Sequence, residues 1–209
     1  MLVDLSFGDI VIVLISLLAA LAVHEAMHAF TSHRLGDATA KDEGRLTLNP
    51  LKHIDVMTTI GLPLLLMLMR LPPIFIAKPV PFDPLRVRFG DLGAALVALA
   101  GPFSNLGLAV LTALFLRFGG GMMSDDIVHV LFIFLQVNVG LFVFNMIPFP
   151  PLDGSRLLYA FAPDPLRRIM SAIESFGIVA IVLFVLLLIP FAGPTIGEIN
   201  QSILRFLLS

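Results

Sequence analysis

From residue 10 to residue 23 every position except Ser16 is apolar, and the run passes into His24-Glu25-Ala26-Met27-His28 with no turn residue between. Two imidazoles and a carboxylate thus sit inside a segment that otherwise reads as a membrane-spanning helix. Ionisable side chains at that depth cost a few kcal/mol each unless they are paired or bind something, so they mark a functional site. On a helix, positions i and i+4 share a face, and His24 and His28 can aim ring nitrogens at one point. Glu25 is turned about 100° from His24, near that point without being forced to bind there. This is the His-Glu-x-x-His geometry of a zinc hydrolase, with Glu25 as general base.

The rest of the chain fits the membrane setting. Hydrophobic residues are 58% of 209 and charged residues 13%, with mean hydropathy +1.00, where a soluble domain has roughly a quarter of its residues charged. The fold class expected is an all-α polytopic membrane protein, one domain over 1–209, with the lipid bilayer as its surroundings. There is no cysteine, so a transition-metal site must use His, Asp and Glu. A formal charge of −2 with no basic cluster gives no footprint for nucleic acid. Asp4 and Asp9 precede the first apolar run with no Lys or Arg, unlike a cleavable signal peptide, so the first helix is expected to remain.

A hydrocarbon core about 30 Å thick needs roughly 20 apolar helical residues. Four segments meet that length: about 10–35, 92–118, 127–147 and 171–191, the last a peripheral helix. A fifth stretch, about 56–77, is interrupted by Pro63, Arg70, Pro72 and Pro73 and reads as re-entrant. If it returns to the side it left, ten of the thirteen basic residues fall on that side: Arg34, Lys41, Arg45, Lys52, Lys78, Arg86, Arg88, Arg156, Arg167 and Arg168. The positive-inside rule then makes that side cytoplasmic and puts both chain ends opposite. Apolar alternation before proline at 44–48 and 74–77 predicts short edge strands in a small membrane-associated sheet. At 195–208, Ile196, Ile199, Ile203 and Phe206 recur at helical spacing opposite Glu198, Gln201 and Arg205, which predicts a C-terminal interfacial helix.

Catalytic zinc takes three protein ligands and a water. His33 is turned some 140° from His28 on a continuous helix and fails as the third. His53 and His129 have no companion at ligand spacing. Asp153 is the better candidate. It follows Asn145-Met146-Ile147-Pro148-Phe149-Pro150-Pro151-Leu152, where three prolines end the helix, and it precedes Gly154, which permits an unusual backbone angle. Broken backbone at membrane depth is tolerated where it lines protein or a wet cavity. A re-entrant 56–77 also brings Asp153 to the same side as the His pair.

The joint pattern resembles the site-2 protease family of zinc intramembrane metalloproteases, in its compact prokaryotic form lacking PDZ and CBS domains. The stretches that carry the resemblance are His24 to His28, Gly36-Asp37-Ala38-Thr39-Ala40, Gly44 to Leu51, Lys78-Pro79-Val80-Pro81, Ala100 to Asn105, and Asn145 to Gly154. One departure is Val56-Met57, where related sequences tend to have proline. The resemblance implies one Zn2+ per chain on His24, His28 and Asp153, Glu25 as the catalytic acid/base, and Asn145 on the substrate or the developing oxyanion. It also implies a transmembrane protein as substrate and a prokaryotic inner-membrane location, with the site toward the cytoplasm.

Gly101-Pro102 with Asn105 reads as a kink and close-packing feature, Asn105 satisfying freed backbone. Arg167-Arg168 reads as a topology anchor. A prenyl-protein-type metallopeptidase is an alternative that needs a downstream glutamate ligand, and Glu43, Glu174 and Glu198 lack a companion motif. A metal transporter or metal-bound scaffold is the other alternative, but it has no need of Glu25 as a base beside the His pair.

Overall fold

The computed structural model describes residues 6–55, Gly61 and 78–209. The expectation of a re-entrant 56–77 and the strand expected at 74–77 fall outside those residues. Helix α1 is Phe7–Arg34 and is followed by a single turn, α2, Thr39–Asp42. Then come α3 (Gly90–Gly119), α4 (Asp125–Asn145), α5 (Gly154–Phe161), α6 (Asp164–Ser175), α7 (Ile178–Leu187) and α8 (Ile189–Leu208). Three of these are long and apolar enough to cross a membrane, or four if the bent pair α6–α7 is one span.

Ser6 opens α1 with a capping box: the Asp9 N–H donates to Ser6 Oγ at 3.1 Å, and the Ser6 N–H donates to Asp9 Oδ2 at 3.0 Å. The other oxygen of Asp9 lies 2.6 Å from Nε2 of His129, the fifth residue of α4. The two helices therefore begin at the same end. Helix α3 runs between them in the opposite sense, since Asn105 meets Ala20 while Val97 meets His28. The chain thus leaves α1 and enters α3 at one end. There the Lys78 N–H donates to the His53 carbonyl at 2.8 Å, so the two borders of the 54–77 stretch meet.

Small residues do the packing and large ones face outward. Ala20, Ala26 and Ala29 on α1 and Ala94, Ala95, Val97 and Ala98 on α3 are buried, whereas Ile15, Leu111 and Phe115 are more than half exposed. Between helices already in hydrocarbon, close backbone approach supplies the attraction, and bulky side chains are better spent on lipid. A second core joins Ala109 and Ala113 to Leu135, Val139 and Val143.

Three expectations are corrected. Among the described residues no segment is a strand, and 44–48 is irregular loop. Its backbone is drawn into loop contacts instead, with the Arg45 N–H donating to the Ala40 carbonyl. The 171–191 stretch is not one helix. It breaks at Gly177, whose φ of +54° favours glycine, and α6 and α7 meet at 100°. The C-terminal helix begins at Ile189 and packs Ile196, Ile203, Leu204 and Leu207 against the α3–α4 core, while Ile199 and Phe206 point away. Its partner is protein along a stripe one step round from the one read in the sequence.

Candidate metal centre

His24 and His28 lie in the second half of α1, 4% and 8% exposed, and Glu25 between them is 7% exposed. Counting from Phe7, His24 is roughly 25 Å along the helix. Asp153 approaches from the turn before α5. Its Oδ2 is 3.1 Å from His24 Nε2 and 3.4 Å from His28 Nε2. One ligand atom from each of the three residues falls within 4.8 Å of the other two.

Each imidazole is held by its other nitrogen. His28 Nδ1 lies 2.7 Å from the Val97 carbonyl, which only accepts, so Nδ1 carries a proton and Nε2 is the nitrogen turned to Asp153. His24 Nδ1 lies 2.7 Å from Asn105 Oδ1. The Asn105 amide is oriented because Nδ2 donates to the Ala20 carbonyl at 3.3 Å and to Asn138 Oδ1 at 3.1 Å. Asn138 Nδ2 in turn donates to the Phe134 carbonyl at 2.9 Å. Both Nε2 atoms thus face the Asp153 carboxylate. Such outer hydrogen bonds fix tautomer and ring angle at metal sites.

Gly101 supplies the space. A Cβ there would lie 2.4 Å from His28 Nε2 and 2.7 Å from His24 Nε2. Gly154 does the same for the third residue, but not as the sequence implied. Its φ is not among the positive ones, and what it permits is close approach, since a Cβ would stand 2.4 Å from the Met146 carbonyl oxygen. Two imidazoles and a carboxylate, preoriented on a shared point with no fourth protein ligand among the described residues, suit zinc with one position open.

A cavity of about 610 Å³ opens on this point. His24, Glu25, His28, Asn145 and Asp153 line it together with the Lys78–Phe82 segment. Leu141, Phe144, Ile178 and Ile181 form an apolar wall. Asn145 donates from Nδ2 to the Leu141 carbonyl at 3.0 Å. Glu25 Oε2 accepts from the Val80 N–H at 3.0 Å.

Asp37, fully buried just past α1, ties the Val80 segment down: Oδ2 accepts from the Asp83 N–H at 2.8 Å, and Oδ1 from the Thr39 hydroxyl at 2.6 Å. Burial opposes its charge. The Thr39 and Asp83 hydrogen bonds and the Arg86 charge outweigh that and hold the carboxyl below its usual range.

The remaining histidines lie elsewhere: His53 Nε2 is 2.9 Å from the Thr47 carbonyl, His129 pairs with Asp9, and His33 is in the last turn of α1. Arg167 bonds Asp91 Oδ2 at 2.7 Å and so joins α6 to the start of α3. Sequence reasoning missed Asn138, the Val80 amide and the role of Asn105 as the partner of His24. A buried asparagine in the middle of an apolar helix was the available signal for Asn138.

The model of peptidase family M50 matches residues 118–190, which include Asp153. YwhC of Bacillus subtilis, which carries a provisional zinc metalloprotease name, is 38% identical over 179 residues, 82% of this chain and 78% of the relative. Rip2 of Mycolicibacterium smegmatis and Rip2 of Mycobacterium tuberculosis (strain H37Rv), named in the same way, are 33% and 32% identical. These matches take in 88% and 91% of this chain and 69% and 70% of the relatives. No solved structure matches the chain at a significant level. With that identity and coverage behind the His2Asp cluster, the chain belongs to peptidase family M50, the site-2 protease family, and is a zinc metallopeptidase.

Proposed function

We propose that residues 1–209 form one integral-membrane protease domain that hydrolyses peptide bonds within or near transmembrane segments of other membrane proteins. The observation that carries this reading is the position of the His24–His28–Asp153 cluster, deep along an apolar helix and open to a 610 Å³ cavity. A site for water-soluble substrates has no reason to lie there.

His24 and His28 would hold zinc through Nε2, and Asp153 through its carboxylate. Zinc bound there supplies a Lewis acid that polarises the scissile carbonyl and acidifies a water. Glu25 takes the proton from that water as it attacks, then delivers it to the leaving amine. Asn145, at the cavity rim, hydrogen bonds the substrate backbone or the oxygen on which charge develops. A helical peptide bond is shielded by its own hydrogen bonds, so the substrate enters unwound, and single spans with helix-weakening residues are the preferred class. The meeting of His53 with Lys78 and the antiparallel run of α1 and α3 support a basic side that is cytoplasmic, with the site toward it. The location that follows is a prokaryotic inner membrane.

The test is Glu25→Gln in the full chain, with metal content and cleavage of a co-expressed single-span protein both measured. The reading expects zinc kept at one per chain and cleavage lost.

A further inference from the structure

We propose that the main-chain N–H of Val80 is a positioning group for Glu25, and that the segment after residue 77 is a working part of the active site. The proposal rests on Glu25 acting as the base.

In Pro79-Val80-Pro81 the prolines have no N–H, so Val80 offers the one main-chain donor of the three residues. That donor is spent on Glu25 Oε2 at 3.0 Å in a buried contact. The Val80 side chain, 8% exposed, belongs to a buried cluster with Ala40 and with Ala29, four residues after Glu25 and on the same face of α1. Val80 thus holds to α1 by its amide while its side chain joins the core beside that helix. The segment is pinned further along by the Asp83 N–H on Asp37 and by the Arg88 N–H on the Leu35 carbonyl at 2.8 Å.

A glutamate has three side-chain torsions, and a free Glu25 could turn onto the His24–His28–Asp153 point and fill its open position. The Val80 amide fixes Oε2 away from that outcome. It leaves Oε1, which has no protein hydrogen bond among the described residues, to accept the proton of a water. Because the donor is main chain and flanked by prolines, it costs little entropy to hold in place.

The direct test replaces Val80 in the full chain by its α-hydroxy acid, which keeps the side chain and exchanges the N–H for an ester oxygen. Glu25→Gln is run beside it. An internally quenched single-span peptide in micelles reports kcat and KM, and bound zinc is counted. The ester should lower kcat by about tenfold or more, within the roughly 10²–10⁴-fold that a general base supplies, with KM and zinc unchanged. Independently of turnover, hydrogen exchange at the Val80 amide should be slow in the wild type and about tenfold faster or more in Glu25→Ala, as expected when a buried hydrogen bond is removed. An ester enzyme with wild-type kcat beside an inactive Glu25→Gln overturns the positioning role and leaves the base assignment standing. Equal Val80 exchange with and without the Glu25 carboxylate also overturns it. An active Glu25→Gln overturns the base assignment, and this inference with it.

Discussion

His24 and Asn105, 81 residues apart, meet at 2.7 Å between Nδ1 and Oδ1, and the contact decides which nitrogen of His24 faces Asp153. Asn105→Ala removes the acceptor and leaves Asn138 without its amide partner. Loss of such a partner lowers metal affinity by about 10–100-fold. Competition with a calibrated chelator should show that loss, and Asn105→Asp, which keeps an acceptor oxygen, should recover part of it.

Gly101→Ala places a methyl group 2.4 Å from His28 Nε2 and 2.5 Å from its Cε1. The imidazoles are buried between helices and cannot step aside, so either the ring pair or the α1–α3 packing must give. Zinc stoichiometry should fall far below one per chain while the protein still inserts in the membrane. Gly107→Ala, which meets nothing within 4 Å, is the matched control and should keep its metal.

Asp37 links the Val80 segment to the end of α1, and its charge should be visible in stability against pH. Its folded pKa is held below the ordinary value near 3.9. Its contribution is therefore fully present above that ordinary value and is lost as pH falls through the folded one. Thermal unfolding in detergent should show wild type and Asp37→Asn differing by about 1–3 kcal/mol at neutral pH, the penalty for an unsatisfied buried donor. The gap should close in acid below about pH 4.

Gly154→Ala sets a methyl group 2.4 Å from the Met146 carbonyl oxygen, a main-chain clash that no side-chain rotation relieves. Asp153 is the preceding residue and would be displaced. Zinc binding should weaken while His24 and His28 keep their outer partners. Metal titration compared with Asp153→Ala measures how much of the third ligand is lost.

The long elements and the approach of Asp153 to His24 and His28 were legible because each rests on a strong local signal. Apolar length marked α1, α3 and α4 to within two or three residues, and the i, i+4 histidines fixed one face of α1. The proline-broken end of α4 pointed to Asp153. What the sequence concealed depends on partners distant in the chain. Gly177 sits in an apolar stretch that reads as continuous until its positive φ turns α6 away from α7. Residues 44–48 alternate like a strand, yet among the described residues they have no strand to pair with and serve as a loop. The Val80 amide is invisible to any residue-type pattern, since the functional group belongs to the backbone. The two prolines beside it were the only hint that a single donor mattered.

The central claim is that the buried cluster cuts peptide bonds at membrane depth, and mapping the cut tests it most directly. A single-span protein is co-expressed with the wild type and with Glu25→Gln, and the product termini are identified by mass spectrometry. The account predicts new termini within or at the edge of the apolar span with the wild type, and none with a Glu25→Gln protein that still holds zinc. Termini confined to the water-exposed domains of the substrate, or the same termini produced by Glu25→Gln, would contradict it.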